Sequence, residues 1–370
     1  MAGSTWGTLL TMTTWGESHG KGLGVVVDGC PAGLPLCEED IQKYLDRRKP
    51  GQSRFTTKRQ EGDEVEILSG VFQGLTAGTP ISMIVRNTDQ RSHDYDEIKE
   101  LYRPGHADYT FDAKYGFRDY RGGGRSSGRE TIGRVAAGAV AARLLESLGV
   151  RVTAYTRSIG DIRISPEHFD LEERFANRVC MPDAQAAVRA EAYLEQLMAR
   201  GDSAGGVAEC VIDGLPAGIG EPVFEKLDAR LAHAIMSVGA VKGVEIGDGF
   251  SAAESSGSVN NDGFAKSAQG VVAKTSNHAG GILGGISDGS RVVVRAAFKP
   301  TPSISSAQRT VNRRGEEVEI CIKGRHDPII VPRAVVVVEA MAAFTTADLL
   351  LQSMSSRLEG VQRFFGLSAE

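Results

Sequence analysis

The sequence is short of the features that mark several large classes of protein. Its five cysteines, Cys30, Cys37, Cys180, Cys210 and Cys321, are odd in number and contain no C-x-x-C pair. They fit a reduced, cytoplasmic protein better than a disulfide framework or a zinc centre, and no metal site is expected. No apolar run reaches the length of a membrane span; the best, near 334–344, is interrupted by Glu339. The opening residues, MAGSTWGTLLTMTTWGESHG, lack a basic segment and a long apolar core, so no signal peptide is expected. Aromatic residues make up 6% of the chain and the net charge is −5, which argues against a general nucleic-acid or membrane-surface binder.

Against this ordinary background the basic residues are clustered. Lys43, Arg47, Arg48, Lys49, Arg54, Lys58 and Arg59 fall in one short segment, and the arginines of 118–134 form a second. Concentrated arginine in an acidic protein points to a small polyanionic ligand, although Lys43, Lys58 and Arg59 individually read as solvated charges. The central stretch is 121–150, RGGGRSSGRETIGRVAAGAVAARLLESLGV. Gly122 to Gly124 predict a loop, because neither a helix nor a strand interior tolerates such a run. Ser127 and Glu130 have the S-x-x-E spacing of a capping box, which predicts a helix start. From Val135 to Leu148 the chain is mostly Ala, Val and Leu, so that helix is expected to be buried and closely approached. A glycine loop feeding a helix start offers N–H groups and the positive end of a dipole to an anion. Arg121, Arg125, Arg129 and Arg134 surround it, an arrangement that costs stability unless an anion is bound.

Other segments carry chemistry-bearing residues. His19 lies between glycines in GESHG (16–20), and His106 follows a Pro-Gly turn in RPGHAD (103–108). On these residues alone, 103–108 reads equally as a binding turn and as a surface turn capped by Asp108. Residues 87–120 lack periodicity and are read as a functional polar segment. SNHAGGILGGISDG (276–289) is a second glycine cluster, KPTPSI (299–304) closes a strand, and KGRHDP (323–328) adds basic residues and His326. Asp348 sits among Phe344, Leu349 and Leu350, where a carboxylate is costly unless paired or used. Helices are predicted over 38–48, 183–200 and 222–237, two strands over 63–86, and a mobile loop over the Ser/Gly/Asn-rich 251–275.

The chain also echoes itself. VVVDGCPAGL (25–34) matches CVIDGLPAGI (210–219), and each is followed by a V-E-I segment, at 65–67 and 244–246. A duplication is inferred, giving a single domain over 1–370 with halves of about 1–185 and 186–370 and a ligand at their junction.

These motifs, together with RRKPGQSR (47–54), NTDQRS (87–92) and VKGVEIGDGF (241–250), resemble chorismate synthase over nearly the whole chain and in order. The resemblance implies an α+β fold, a β-α-β sandwich with helices packed between two mainly antiparallel sheets. It implies phosphate elimination from 5-enolpyruvylshikimate 3-phosphate to give chorismate, dependent on reduced FMN with no net redox change, in a homotetramer. It places FMN against Arg125, Ser126, Ser127, Gly239, Ala240, Gly284, Lys299, Pro300, Thr301, Pro302, Ser303 and Arg325. His106 is implied as the acid beside the departing phosphate, His19 as the proton partner of the flavin, and Asp348 as a carboxylate near it. Arg48, Arg54, Arg103, Arg129 and Arg134 are a plausible clamp for substrate anions, and Arg48 and Arg54 serve equally for NADPH as reductant. Gly128 and Gly239 depart from the residues usual in the family, as does the length of 251–275. Two other classes are weighed: a P-loop phosphotransferase, for which GGGRSSGR lacks the Gly-Lys-Ser/Thr ending, and an RNA-binding module, for which stacking aromatics are too few.

Overall fold

A computed structural model describes residues 3–51, 53–55, 61–88, 99–121, 123–266, 270, 272–322 and 327–367. Lys58, Arg59, Gly122, Arg325 and His326 lie outside the described residues. The first part of the chain forms β1 (Thr5–Gly7), β2 (Thr11–Gly16), β3 (Gly22–Asp28) and α1 (Glu38–Arg48). It continues through β4 (Val65–Ile67), the short β5 (Val71–Phe72) and β6 (Leu75–Thr76), then β7 (Ile81–Arg86), α2 (Asp108–Tyr115) and α3 (Thr131–Ser147). The second part opens with β8 (Arg151–Ile159), β9 (Ile162–Arg163), α4 (Glu173–Ala176), α5 (Ala184–Ala199) and β10 (Gly206–Asp213). There follow α6 (Leu227–Met236), β11 (Val241–Ile246), α7 (Gly257–Asn260), β12 (Phe264–Lys266) and β13 (Val272–Lys274). The chain ends with β14 (Ile282–Leu283), β15 (Ile286–Ser287), β16 (Val292–Phe298), β17 (Gln308–Val311), β18 (Glu317–Ile320), α8 (Val331–Gln352) and α9 (Leu358–Phe364).

Two five-stranded antiparallel sheets result, in the orders β1-β2-β3-β7-β4 and β11-β16-β10-β8-β9. Alternation sends Leu23, Val25 and Val27 of β3, and Ile81, Met83 and Val85 of β7, inward against α3. In the second sheet Ala208, Cys210 and Ile212 of β10 and Val292, Val294 and Ala296 of β16 are buried in the same way, with α8 packed against β8 and β10. The two long helices pack on each other between the sheets. This is the expected α+β sandwich.

The order β2-β3-β7-β4 repeats as β8-β10-β16-β11, with a long helix closing each series. Details repeat too. Thr76 Oγ1 donates to Pro31 O at 2.6 Å and accepts from Leu34 N at 2.9 Å; Ser287 Oγ donates to Pro216 O at 2.6 Å and accepts from Ile219 N at 2.9 Å. By sheet membership the chain changes series at Gly149–Val150, not near 185. The offset of 185 between the echoed turns is lengthened by α4 and α5, which are inserted between β8 and β10.

Several boundaries differ from expectation. Helix α6 starts at Leu227 rather than 222, since Pro222 and the positive φ of Val223 (68°) keep the preceding residues out of the helix. The 63–86 segment forms β4 and β7 with the β5–β6 hairpin between them. Helix α2 lies in the supposedly aperiodic 87–120, and DYTFDAKY carries no apolar stripe to announce it. The described part of 251–275 is structured rather than loop alone: α7 and the β12–β13 hairpin are pinned by Lys274, whose Nζ reaches Asp262 (2.9 Å) and Asp288 (2.8 Å). The helix over 331–355 is long and apolar enough to cross a membrane, but it is the buried core helix. Glu339 within it accepts two hydrogen bonds from Arg47, at 2.5 and 3.0 Å, and one from Ala154 N at 2.8 Å.

The α3–α8 contact is closest at Gly138, where an added Cβ would lie 2.3 Å from Ala340 Cβ. Replacing Gly138 by Val should overpack this crossing by about 1–3 kcal/mol or more. Differential scanning calorimetry should then show the unfolding midpoint lowered by several degrees; an unchanged midpoint would mean that the helices separate freely.

Candidate active site

Three segments remote in sequence converge on His106. The first is its own turn, 103–106, where Gly105 has φ +67°. The second is the glycine loop: a Cβ on Gly123 would lie 3.2 Å from His106 Cε1 and 3.3 Å from Ser126 Oγ. The third is the exit of β16. Lys299 Nζ donates to Gly105 O at 2.5 Å, and a Cβ on Gly105 would lie 3.1 Å from Pro302 Cβ. Gly105 and Gly123 therefore meet two needs at once, a left-handed backbone and close approach. Lys299 N in turn donates to Ala240 O at 3.0 Å. Ala240 has φ +70°, a conformation that costs a non-glycine residue energy and that gathers at functional sites. The side chain of Lys299 is held below the ordinary lysine range by burial and by the charge of Lys242. Thr301 Oγ1 is buried without a hydrogen-bond partner, while the Thr301 carbonyl accepts from Ser203 Oγ at 2.7 Å.

His19 follows the end of β2, to which the glycine loop is tied. Arg125 fastens that loop to the end of β2, donating to Gly16 O (3.1 Å), Thr14 O (3.1 Å) and Thr14 Oγ1 (2.7 Å). The next turn carries His19, whose Nδ1 is hydrogen-bonded to Ser18 Oγ at 3.1 Å. Asn87 clamps this turn through Nδ2, which donates to Glu17 O (3.1 Å) and Gly20 O (2.9 Å). Asp119 lies close enough to feel the charge of His19; its carboxyl is held low chiefly by hydrogen bonds from Arg121, at 2.8 and 2.9 Å.

The arginines expected to clamp the substrate divide into two groups. Arg48, Arg103 and Arg129 are buried, and each is paired with a carboxylate inside the protein. Arg48 donates to Asp63 Oδ2 at 2.5 Å and Arg129 to Asp63 Oδ1 at 3.0 Å. Arg129 also donates twice to Asn87 Oδ1, at 3.1 and 2.8 Å. Burial raises the Asp63 carboxyl, but the two guanidinium groups outweigh it and hold the group below the usual range. Burial, helped by the neighbouring charges of Arg333 and Arg129, outweighs Asp63 and pushes Arg48 down to about 10. Arg103 is bidentate on Asp108, at 2.7 Å for each bond. Arg134, by contrast, keeps part of its guanidinium exposed beside the 239–240 turn, bonded to Glu130 at 2.9 Å and to Ser237 Oγ at 2.6 Å. Arg54 is half exposed and faces away, toward Glu191 and Glu195 of α5.

The capping box is only half formed. Ser127 Oγ accepts from Arg129 N at 3.4 Å, whereas the Glu130 carboxylate turns to Thr14 Oγ1 at 3.1 Å and to Arg134. The helix begins with a 3₁₀ turn over Gly128–Glu130. Gly284 and Asp348, like Arg54, are not brought to His106 within this chain. Gly284 turns the β14–β15 hairpin at the start of β16, the end opposite Lys299. Asp348 is fully buried and accepts from Thr8 N (3.0 Å), Leu9 N (2.9 Å) and Leu10 N (3.0 Å), fixing the β1–β2 turn at the far end of β2 from His19. Asp327 accepts from Arg333 at 2.6 Å, and Arg333 also donates to Arg48 O at 3.1 Å. Asp63, Asn87, Asp119 and Asp327 were not singled out from sequence, and only Asn87 and Asp327 lay in motifs that had been noted.

The chorismate synthase family model matches residues 10–351. The chain belongs to the chorismate synthase family. Chorismate synthase of Agathobacter rectalis is 64% identical over 365 residues, covering 99% of this chain and 99% of that protein. That of Lachnospira eligens is also 64% identical, over 99% of this chain and 100% of its own. A crystal structure of a chorismate synthase matches with a TM-score of 0.76 at 34% identity, covering 98% of this chain and 97% of the other. The chain is accordingly a chorismate synthase-type lyase of the shikimate pathway, acting on a small molecule in aromatic amino-acid biosynthesis. Within this family assignment, the buried Asp63 pair is the support of the glycine loop.

That support should depend on pH in a defined direction. The folded Asp63 carboxyl titrates below its unfolded value of about 3.9, so its contribution is present above that pH and is lost as pH falls through and below it. Asp63→Asn leaves two buried arginines short of a counter-charge and should cost about 3–5 kcal/mol at pH 7. Urea titrations at pH 7 and pH 3 should show a gap between wild type and variant that narrows at the lower pH; a constant gap would contradict the pairing.

Proposed function

We propose that the cleft between the 103–106 turn, the glycine loop and the exit of β16 binds reduced FMN beside 5-enolpyruvylshikimate 3-phosphate and releases phosphate from it. The observation that carries this reading is the placement of His106 against the backbone of Gly123, with Lys299 one turn away. The residues suit a flavin phosphate and a flat ring. Thr301 offers a buried hydroxyl with no partner, and a Cβ on Gly124 would meet nothing within 4 Å, so this backbone is open to close approach. Arg125, Ser126, Ser127, Gly239, Ala240 and Lys299 to Ser303 would hold the cofactor. Bound in reduced form, FMN would lend an electron to the substrate and recover it, leaving no net redox change.

The protein's own groups then handle protons and charge. His106 gives a proton to the phosphate oxygen as the carbon–oxygen bond breaks, so that dianionic charge does not build up unshielded. His19, clamped by Asn87 and Ser18 after the end of β2, is assigned the proton exchanged with the cofactor. Arg134 and Lys299 are the cations best placed for substrate anions. Arg48, Arg103 and Arg129 act as the frame behind them, because each is enclosed and bound to an internal carboxylate. If NADPH serves as reductant, Arg54 rather than the enclosed Arg48 is accessible to it. Free thiols fit a cytoplasmic enzyme. Exposed Phe72, Phe224, Phe250 and Phe264 fit further association into a homotetramer.

Anaerobic turnover with chemically reduced FMN tests the assignment. His106→Ala should lose roughly 10²–10⁴-fold in rate while still binding oxidised FMN with substrate as a yellow complex. Turnover within a few-fold of wild type, or a defect confined to binding, would overturn the role. Running the assay with oxidised FMN, with and without NADPH, decides whether the chain reduces its own flavin.

The quaternary proposal has a separate check. Multi-angle light scattering at micromolar concentration should return about four times the chain mass of 39.4 kDa; a monomer would refute it.

A further inference from the structure

His106 does not stand alone. Its Nδ1 lies 3.0 Å from Asp108 Oδ1, on the first residue of α2, and 3.0 Å from Arg103 Nη2. Both of these nitrogens point at the same carboxylate oxygen, since Arg103 Nη2 donates to Asp108 Oδ1 at 2.7 Å and its Nε donates to Oδ2 at 2.7 Å. Arg103 N adds a third bond to Oδ2 at 3.1 Å, and Arg118 Nε lies 3.7 Å from Oδ1. The Asp108 side chain is almost fully enclosed. Burial pushes its carboxyl up, but the hydrogen bonds from Arg103 and His106 and their charges more than reverse this, so it remains ionised.

Two partners compete for Nδ1: the ionised Asp108 oxygen at 3.0 Å calls for a proton there, and Arg103 Nη2 at 3.0 Å, already committed to Asp108 Oδ1 at 2.7 Å, would meet a lone pair. With a proton on Nδ1 the contact is a hydrogen bond. With a lone pair there, the nitrogen would face the ionised oxygen with only the shared Arg103 donor between them. The other ring nitrogen, Nε2, then faces the glycine loop, 3.5 Å from where a Cβ on Gly123 would stand. Gly123, with φ +87°, leaves room for that edge of the ring.

We propose that Asp108 is a positioning residue for His106: its carboxylate holds the Nδ1 proton and supports the imidazolium, so that the proton delivered into the cleft leaves from Nε2 and the neutral ring that remains is protonated on Nδ1. Arg103 and Arg118 are the counter-charges that keep Asp108 anionic, which is why an arginine adjacent to the site is turned inward. The inference rests on the reading of His106 as the proton donor. It adds that the donor is a two-residue unit with one reactive face, assembled within six residues by the Pro104-Gly105 turn.

Two measurements test it. In ¹⁵N-labelled wild-type protein without ligand, above the pH at which the ring is neutral, the His106 nitrogens should show the Nδ1-protonated tautomer. The opposite tautomer overturns the proposal and needs no variant. Second, Asp108→Asn should lower kcat about tenfold or more with KM for the substrate within about threefold. In the His106→Ala background the same change should have no further effect on kcat. A multiplicative loss in the double variant would mean that Asp108 acts only on the fold and would refute the positioning role. Wild-type-like turnover by His106→Ala alone would refute the reading beneath it, a distinct outcome. Should Asp108→Asn fail to fold, the tautomer measurement still decides.

Discussion

The burial of Asp63 between Arg48 and Arg129 is the constraint from which the rest of the site follows. Arg48 comes from the end of α1 and Arg129 from the glycine loop, so one carboxylate joins a helix under the first sheet to the segment that faces the ligand. Through Asn87 the same Arg129 holds the turn that carries His19. Two guanidinium groups brought together out of water repel each other and lose hydration; only an ionised partner with matched hydrogen bonds makes the arrangement tolerable. The described part of the loop, with Gly123 and Gly124, is therefore held by charge pairing behind it rather than by its own backbone.

The two long helices provide the second layer of support. Small residues on α3 let α8 come close, and each sheet lies against its own helix. The groups proposed to act in the cleft are not on these helices: His106 precedes α3, Lys299 precedes α8, and His19 lies between β2 and β3. That division separates a rigid core from segments free to adopt left-handed or strained backbone, as at Gly105, Gly123 and Ala240.

Much of this could be read from the residues. Helix α1 begins and ends where its amphipathic pattern and flanking Pro50-Gly51 place it. The echo of the turn after β3 in the turn after β10 extends to matched Thr76 and Ser287 hydrogen bonds. What was not legible shares one cause: pairings between residues far apart leave no local mark. Asp63 lies in EGDE, with no periodic signal, and its partners are 15 and 66 residues away. The clustered arginines read from sequence as partners of a bound anion, and three of them, Arg48, Arg103 and Arg129, instead pair with carboxylates inside the chain. Asp348 was rightly read as a costly buried carboxylate. The N–H groups that satisfy it lie about 340 residues away, in a turn that looks unremarkable in sequence.

The bond from Lys299 to the carbonyl of Gly105 joins the crossover of one sheet series to the crossover of the other. The two series are connected at Gly149–Val150 by a tight link of a few residues. A polypeptide opened at that link would carry His19, His106 and the glycine loop on one fragment and Lys299 to Ser303 on the other. Neither fragment would contain a binding cleft, and the cleft would exist only where the two met, as in an enzyme whose site belongs to an interface rather than to a chain.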